Sequence, residues 1–376
     1  MRSARTLDIV ATAAAAMAAV AATTACGRFG FDPSGDAHPS DGSPDGDPTP
    51  LALACGETRS AGAATLKGST LAAVATARGL AALWLDSTGT LRGTTWTTDA
   101  SGGLHEHAAV ELAAGPFSEL WAAANGDAIL AATQAGGDAT GHFLRGDLTK
   151  SQPSGALGVG ALSGRDPIAS RRGGPGFVAI AIAGPKPAIY ELTGAEPPPQ
   201  HLLVELVDHA VPSIAADAGS YAVITEFADQ FGAGCWYSKV DDAFGFAGGP
   251  GSVESTQQAD CDSATVAAAA GPLGAGIAWM DRDPANSYVE FAGTGGGGNV
   301  ASMSGETDVG LPLVTGTSTG FAVAYRSSAG LRVFDRGGAR TLAATAPLVD
   351  LVTWSDLALV LWTTATGAPQ LTRLCP

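Results

Sequence analysis

Charge is scarce in this 376-residue chain, and positive charge scarcest. Asp, Glu, Lys and Arg make up 15% of it, with 20 Lys and Arg against 36 Asp and Glu. The net charge of −16 repels phosphate backbones and argues against nucleic acid as a partner. Beyond the N-terminus no apolar run reaches 18 residues, so no membrane-spanning helix is expected. The positive mean hydropathy, +0.17, is an alanine effect. The five cysteines contain no C-x-x-C pair, which argues against redox and zinc chemistry. No Walker A sequence occurs, so no P-loop cradles a nucleotide. Low charge suits many short buried strands joined by Gly, Ser and Thr turns.

Glycine, by contrast, is abundant at 51 residues. From about residue 65 onward one phrase recurs seven times: a short apolar strand, a Gly-containing turn, and an alternating apolar strand. The clearest copies are GLAALW from Gly79, GFVAIA from Gly176, GAGIAW from Gly274 and GFAVAY from Gly320. Weaker ones are GDAILAA from Gly126, GSYAVIT from Gly219 and SDLALVLW from Ser355. The first six anchors run from 79 to 320 in five steps, a mean of about 48 residues. Several strands per unit at that period is the signature of a β-propeller blade.

Five residues after the anchors stand Trp84, Ala181, Trp279 and Tyr325, with Ala131 and Ile224 in weaker copies. Strand side chains alternate faces, so Leu80, Ala82 and Trp84 share one row, as do Phe321, Val323 and Tyr325. The opposite row is mostly Ala or Gly, with Leu83, Val178 and Ile180 larger. Apolar character on both faces, with small residues interspersed, is what a sheet packed between neighbouring sheets needs. Alanine favours helices, but the period of two, the β-branched residues and the Gly turns specify strands. Residues 51–376 are expected to form one all-β domain, a β-propeller of about seven four-stranded blades, with six or eight as alternatives.

Residues 1–25 read as a signal peptide: Arg2 and Arg5 precede a short Ala-rich apolar run from Ile9 to Ala22. The run ends in Thr23-Thr24-Ala25-Cys26-Gly27, which resembles the lipobox of bacterial lipoproteins, where a small residue precedes the cysteine that becomes the lipidated N-terminus. Thr23 departs from the Leu-like residue usual there. The resemblance implies lipidation of Cys26 and attachment to the membrane through that anchor alone. Gly27 in place of Asp implies an outer-membrane or cell-surface location; without lipidation the chain would be secreted or periplasmic. Residues 26–50 then form a disordered tether of Asp, Pro, Ser and Gly with almost nothing to bury. Asp41, Asp45 and Asp47 are spaced somewhat like a calcium loop, but no closing Glu follows. Residues 1–26 carry +1 and 27–50 carry −4, leaving −13 of the −16 to residues 51–376.

After Cys26 four cysteines remain, and four allow three pairings. An exported chain favours disulfides. The ends of a closed ring meet, so Cys55 and Cys375 are expected to clip it shut. Cys235 and Cys261 would then staple the Gly-rich excursion from Asp241 to Asp260.

Sequences with a catalytic look lack their context. Gly316-Thr317-Ser318-Thr319-Gly320 fits G-x-S-x-G, but a strand and not a helix follows, so a hairpin turn is expected. Gly293 to Gly298 fits G-x-G-x-x-G without a surrounding βαβ unit. His105 and His107 would share a strand face and could chelate an ion, but zinc needs a third protein ligand. Asp241, Asp242, Asp281, Asp283 and Glu290 are carboxylates without a rank order, expected in solvated turns. LDSTGTLRGTTW at 85–96 is a partial match to the repeated turn of sialidases, and the other repeats lack it. Trp96, Trp121, Trp236, Trp354 and Trp362 fall off the repeat position and could include a ligand-facing ring.

No catalytic, cofactor-binding or metal residue is therefore assigned. The expectation is a monomeric, non-enzymatic binding or scaffolding propeller that engages a protein or a glycan at one ring face. The alternative is an exported hydrolase or lyase acting on polysaccharide or peptide. Clustered Asp, Glu or His with shifted pKa in the central funnel would favour the enzyme; a funnel lined by Ala, Gly and Ser would favour binding.

Overall fold

The computed structural model describes residues 50–193, 197–203, 210–216, 219–229, 232–252, 267–271, 274–283, 286–293, 303–306, 310 and 312–376. These lie in one compact unit, Gly46–Pro376. Among the described residues there are strands and no helix, arranged in seven antiparallel sheets.

The chain begins with β1 (Thr58–Ser60) and then lays down one blade after another. Blade 1 is β2 (Thr70–Ala75), β3 (Leu80–Leu85), β4 (Leu91–Thr98) and β5 (Leu104–Glu106), with β6 (Val110–Ala113) also paired to β4. Blade 2 is β7 (Glu119–Asn125), β8 (Ala128–Gln134), β9 (Thr140–Arg145) and β10 (Gly155–Ala156). Blade 3 is β11 (Ile168–Ser170), β12 (Phe177–Ala183), β13 (Lys186–Leu192) and β14 (Gln200–Leu202). Blade 4 is β15 (Ala210–Ala216), β16 (Tyr221–Asp229), β17 (Gly232–Val240) and β18 (Phe246–Ser252). Blade 5 is β19 (Ala267–Gly271), β20 (Gly274–Asp283), β21 (Asn286–Gly293) and β22 (Met303–Glu306). Blade 6 is β23 (Leu313–Thr317), β24 (Gly320–Ser327), β25 (Gly330–Asp335) and β26 (Gly338–Ala343). Blade 7 takes β27 (Val349–Trp354), β28 (Leu357–Thr363) and β29 (Pro369–Arg373), and borrows β1 as its outer strand.

The first strands of consecutive blades lie against one another around a common axis, from β2 through β7, β11, β15, β19, β23 and β27 back to β2. Seven hydrophobic clusters fill the junctions between neighbouring blades. An open fan of seven sheets would have six junctions; the seventh, between blades 7 and 1, is packed by Leu80, Trp84, Trp354 and Leu359. The domain is a closed seven-bladed β-propeller.

The recurrent phrase is the second strand of every blade, and its two rows serve two junctions. Leu80, Ala82 and Trp84 face the preceding blade, while Ala81, Leu83 and Leu85 face the following one. Phe177, Ala179 and Ala181 against Val178 and Ile180 repeat the division. Small residues stand where blades approach closely: a Cβ at Gly276 would run into the Phe321 ring of the next blade. Blade 4 departs from the register read off the sequence. Tyr221 and Val223 face the preceding blade and Ile224 the following one, so its true anchor is Ser220 and not Gly219. A one-residue slip exchanges the two faces, and GSYAVIT is apolar on both, which hides it.

The ring is closed at both chain ends. β1 pairs antiparallel with β29, Thr58 opposite Thr372 and Ser60 opposite Gln370. A disulfide joins Cys55 to Cys375, with a Cα–Cα distance of 5.8 Å, within the usual range for such a bridge. Asp335 accepts hydrogen bonds from the Cys375 and Gly337 N–H groups (both 2.9 Å) and from the Arg340 guanidinium at 2.6 Å. Cys235 lies on β17 opposite Glu226; Cys261 and Cys26 lie outside the described residues.

Candidate functional site

A first strand at a propeller axis has no sheet neighbour on its inner edge, so its backbone N–H groups face the channel and need acceptors. Two carboxylates meet that need. Asp350, second residue of β27, accepts from Ala73 of β2 at 2.5 Å and from its own neighbour Leu351 at 2.9 Å. Asp166, just before β11, reaches Ala268 of β19 at 3.1 Å, and so links blade 3 to blade 5 past blade 4.

Leu71, Leu120, Trp121, Ile168 and Asp350 together line a narrow pocket with Arg165 and Asp166, which brings the N-terminal ends of β2, β7, β11 and β27 to one mouth of the channel. Trp121 and Arg165 continue outward into a rim pocket of about 240 Å³ that also has Thr70, Ser118, Glu119 and Gly164 in its wall. Trp121 is half-buried and its indole N–H donates to the Gly164 carbonyl at 3.2 Å. Arg326, at the end of β24, donates to the Pro347 carbonyl at 2.9 Å.

Asp166 and Asp350 are partly exposed, yet the protein packed around them still desolvates their charge. Burial accordingly pushes Asp350 up to about 6, against the pull of Arg165 and two N–H groups, while neighbouring Asp166 pushes it further. Burial raises Asp166 too, and Arg165 and the Ala268 N–H draw it partly back. Burial, then the charge of Arg165, lowers Arg326.

A second opening of about 560 Å³ lies between blades 2 and 3 at the other end of the strands, where Arg171, Gly176, Phe177, Glu191 and Leu192 meet Phe143 and Gln152. The outer strand of blade 2 is only two residues long. Glu191 is already shared by Arg171 (2.6 Å) and His201 (2.8 Å), and Asn125 ties the adjoining turn through the Gly174 and Gly176 carbonyls. The Glu191 ion pairs lie within blade 3, and Asn125 on β7 ties blade 2 to it.

The residues singled out in the sequence are dispersed. His105 and His107 stand on and beside β5, exposed, with ring centroids 4.9 Å apart. Among the described residues no group of three metal-ligating side chains forms. Ser318 occupies the β23–β24 hairpin turn and bonds the Asp356 carboxylate of the next blade. Gly293 closes antiparallel β21, and 294–298 lie outside the described residues. Asp241 caps its own turn through Ala243 and Gly245, Asp242 pairs with Arg172, and Asp281, Asp283 and Glu290 fall on β20 and β21. Asp86, in the sialidase-like stretch, holds a turn through Thr88 and Thr90. Trp96, Trp354 and Trp362 are core, so Trp121 is the ring of that set that reaches the funnel; the Trp236 side chain is outside the described set.

Sequence reading passed over Arg165, Asp166 and Asp350. A signal existed: Asp350 interrupts the apolar run Val349-Asp350-Leu351-Val352, and a charge inside such a strand requires a partner. His142 was also passed over. It is buried between Thr133 (2.8 Å) and Ser154 (2.9 Å), and burial, then Lys150, lowers it to about 4, so it is neutral and structural.

No protein-family model and no curated protein matches this chain. Solved structures do. BBS1N in complex with ARL6DN is similar at 12% identity over 87% of this chain and 98% of that one, with a TM-score of 0.50. Kuenenia stuttgartiensis hydrazine synthase is similar at 9% identity over 84% and 97%, with a TM-score of 0.54. The Dos1 propeller is similar at 10% identity over 86% and 95%, with a TM-score of 0.46. Likeness at these identities concerns the fold alone.

Proposed function

We propose that this chain is an envelope-anchored lipoprotein whose propeller is a non-enzymatic binding or scaffolding module for a protein segment or a glycan. The funnel mouth carries the reading: Arg165, Asp166, Asp350 and half-buried Trp121 converge where the first strands begin. A rigid ring presents these groups already in place, so that binding there does not have to order the scaffold. BBS1N, similar in fold, is seen in complex with ARL6DN. Anchoring rests on Cys26 and the tether over residues 26–50, which would put the protein at the outer membrane or cell surface.

Two measurements test the two halves. Mass spectrometry of the mature chain should find a lipidated Cys26 at its N-terminus, and Cys26→Ser should move the protein out of the membrane fraction; an unmodified mature chain defeats anchoring. Peptide and glycan panels should yield a ligand whose retention is lost in Arg165→Met; retention indifferent to that change defeats the funnel assignment.

One observation favours a second reading, the exported hydrolase or lyase. Asp350 holds its proton up to about pH 6 beside a second carboxylate, the division of labour that general acid catalysis uses. Turnover of polysaccharide or peptide that disappears in Asp350→Asn would establish it.

A further inference from the structure

The chemistry of the mouth discriminates among ligands. Among the described residues Arg165 is the one half-buried arginine whose guanidinium has neither hydrogen bond nor ion pair. Arg59, Arg92, Arg171, Arg172 and Arg340 are held by carboxylates, and Arg373 by the Leu53 carbonyl. A guanidinium presents five donors in a fixed fork, and holding it half-desolvated without acceptors is unfavourable. The two carboxylates beside it are engaged differently. Each Asp350 oxygen accepts one backbone N–H and keeps a second lone pair. The site thus offers unused donors and unused acceptors side by side.

Resting on the binding reading above, we propose that the mouth binds an uncharged, hydroxyl-bearing ring, a single saccharide residue of a neutral glycan. Arg165 donates to it, Asp350 accepts from it, and Trp121 forms the wall against its C–H face. An anionic ligand would enter against Asp166, Asp350 and rim Glu119; a cationic one would have to sit beside the Arg165 guanidinium. A hydroxyl both donates and accepts, so neighbouring hydroxyls of one ring satisfy the Arg and the Asp together without adding charge. Size points the same way. The rim pocket, about 240 Å³, suits one ring and is too short for an extended peptide, and the deeper pocket, about 60 Å³, where Asp350 stands, admits only a group the size of one hydroxyl from that ring.

The test uses the mature protein on an array of neutral and acidic glycans beside a peptide array, with Arg165→Met, Arg165→Lys, Trp121→Ala and exposed Arg145→Met as variants. Wild type and Arg145→Met should retain neutral glycans, and the soluble neutral oligosaccharide of the best spot should shield tryptophan from acrylamide quenching. Arg165→Met should bind at least about tenfold more weakly, the loss expected for a charge-assisted hydrogen bond, while still unfolding in one cooperative thermal transition. Arg165→Lys should fall between. Preference for acidic glycans, or neutral-glycan binding untouched by Arg165→Met, overturns the proposal. Arg165-dependent retention of peptides alone overturns it while leaving the binding reading intact. Silence on both arrays overturns both, and cleavage of a retained glycan replaces binding with the hydrolase.

Discussion

Removing the Cys55–Cys375 bridge asks how the ring is held shut. The bridge closes a loop of 320 residues. In the chain-entropy treatment, crosslinking a loop that long destabilises the unfolded ensemble by about 5.7 kcal/mol at 25 °C, less any native strain. The folded ring, in contrast, has a second clasp at the same seam. Beyond the β1–β29 ladder, the Thr58 and Thr372 hydroxyls bond at 2.9 Å, Arg373 donates to the Leu53 carbonyl at 2.7 Å, and the Gly56 N–H reaches the Arg373 carbonyl at 3.0 Å. Cys55→Ser/Cys375→Ser should therefore still fold to the same ring while losing about 4–6 kcal/mol of unfolding free energy in equilibrium urea titration. Its m-value should rise slightly, since an uncrosslinked chain exposes more surface when unfolded. Hydrogen exchange should quicken at β1 and stay slow at β28. A loss below about 1 kcal/mol with unchanged m would refute the argument, because it would mean the unfolded chain is already closed without the bridge.

Four further outcomes are expected. His142 has a folded pKa of about 4 against 6.5 unfolded, so the unfolded state binds more protons between those values; stability is full above about pH 6.5 and falls by about 3 kcal/mol on the way to pH 4. His142→Phe should lack that acid limb in a pH series of urea melts. Asp350 runs the other way: its folded pKa of about 6 lies above the ordinary 3.8, so its contribution is present below about pH 4 and lost as pH rises through 6, and Asp350→Asn should flatten that segment. Gly276→Val should lower stability by about 1–3 kcal/mol, since its side chain meets the Phe321 ring; a thermal midpoint equal to wild type would show the two blades can part there. Asp335→Ala strips the acceptor from Arg340 and from the Cys375 N–H and should cost about 2–4 kcal/mol, discounted because Arg340 is partly exposed.

The sequence alone determined the blade. Alternating rows such as Leu80, Ala82 and Trp84 are short-range facts, because a strand buried on both faces must be apolar at every position, and a fixed period states how often the unit recurs. The pairing of Cys55 with Cys375 followed from the same logic, since a closed ring returns its end to its beginning. The sequence could not place Asp166 beside Ala268, 102 residues away, or Asp350 beside Ala73, 277 away. Those encounters depend on how seven first strands are angled about the axis, which no local pattern encodes. Arg165 looked like any loop arginine until the ring set its charge close enough to Asp166 and Asp350 to pull on both, with no hydrogen bond to it among the described residues. The slip in blade 4 has the same cause: both faces of GSYAVIT are apolar, so only packing against Val178 on one side and Ile277 on the other decides which residue points where.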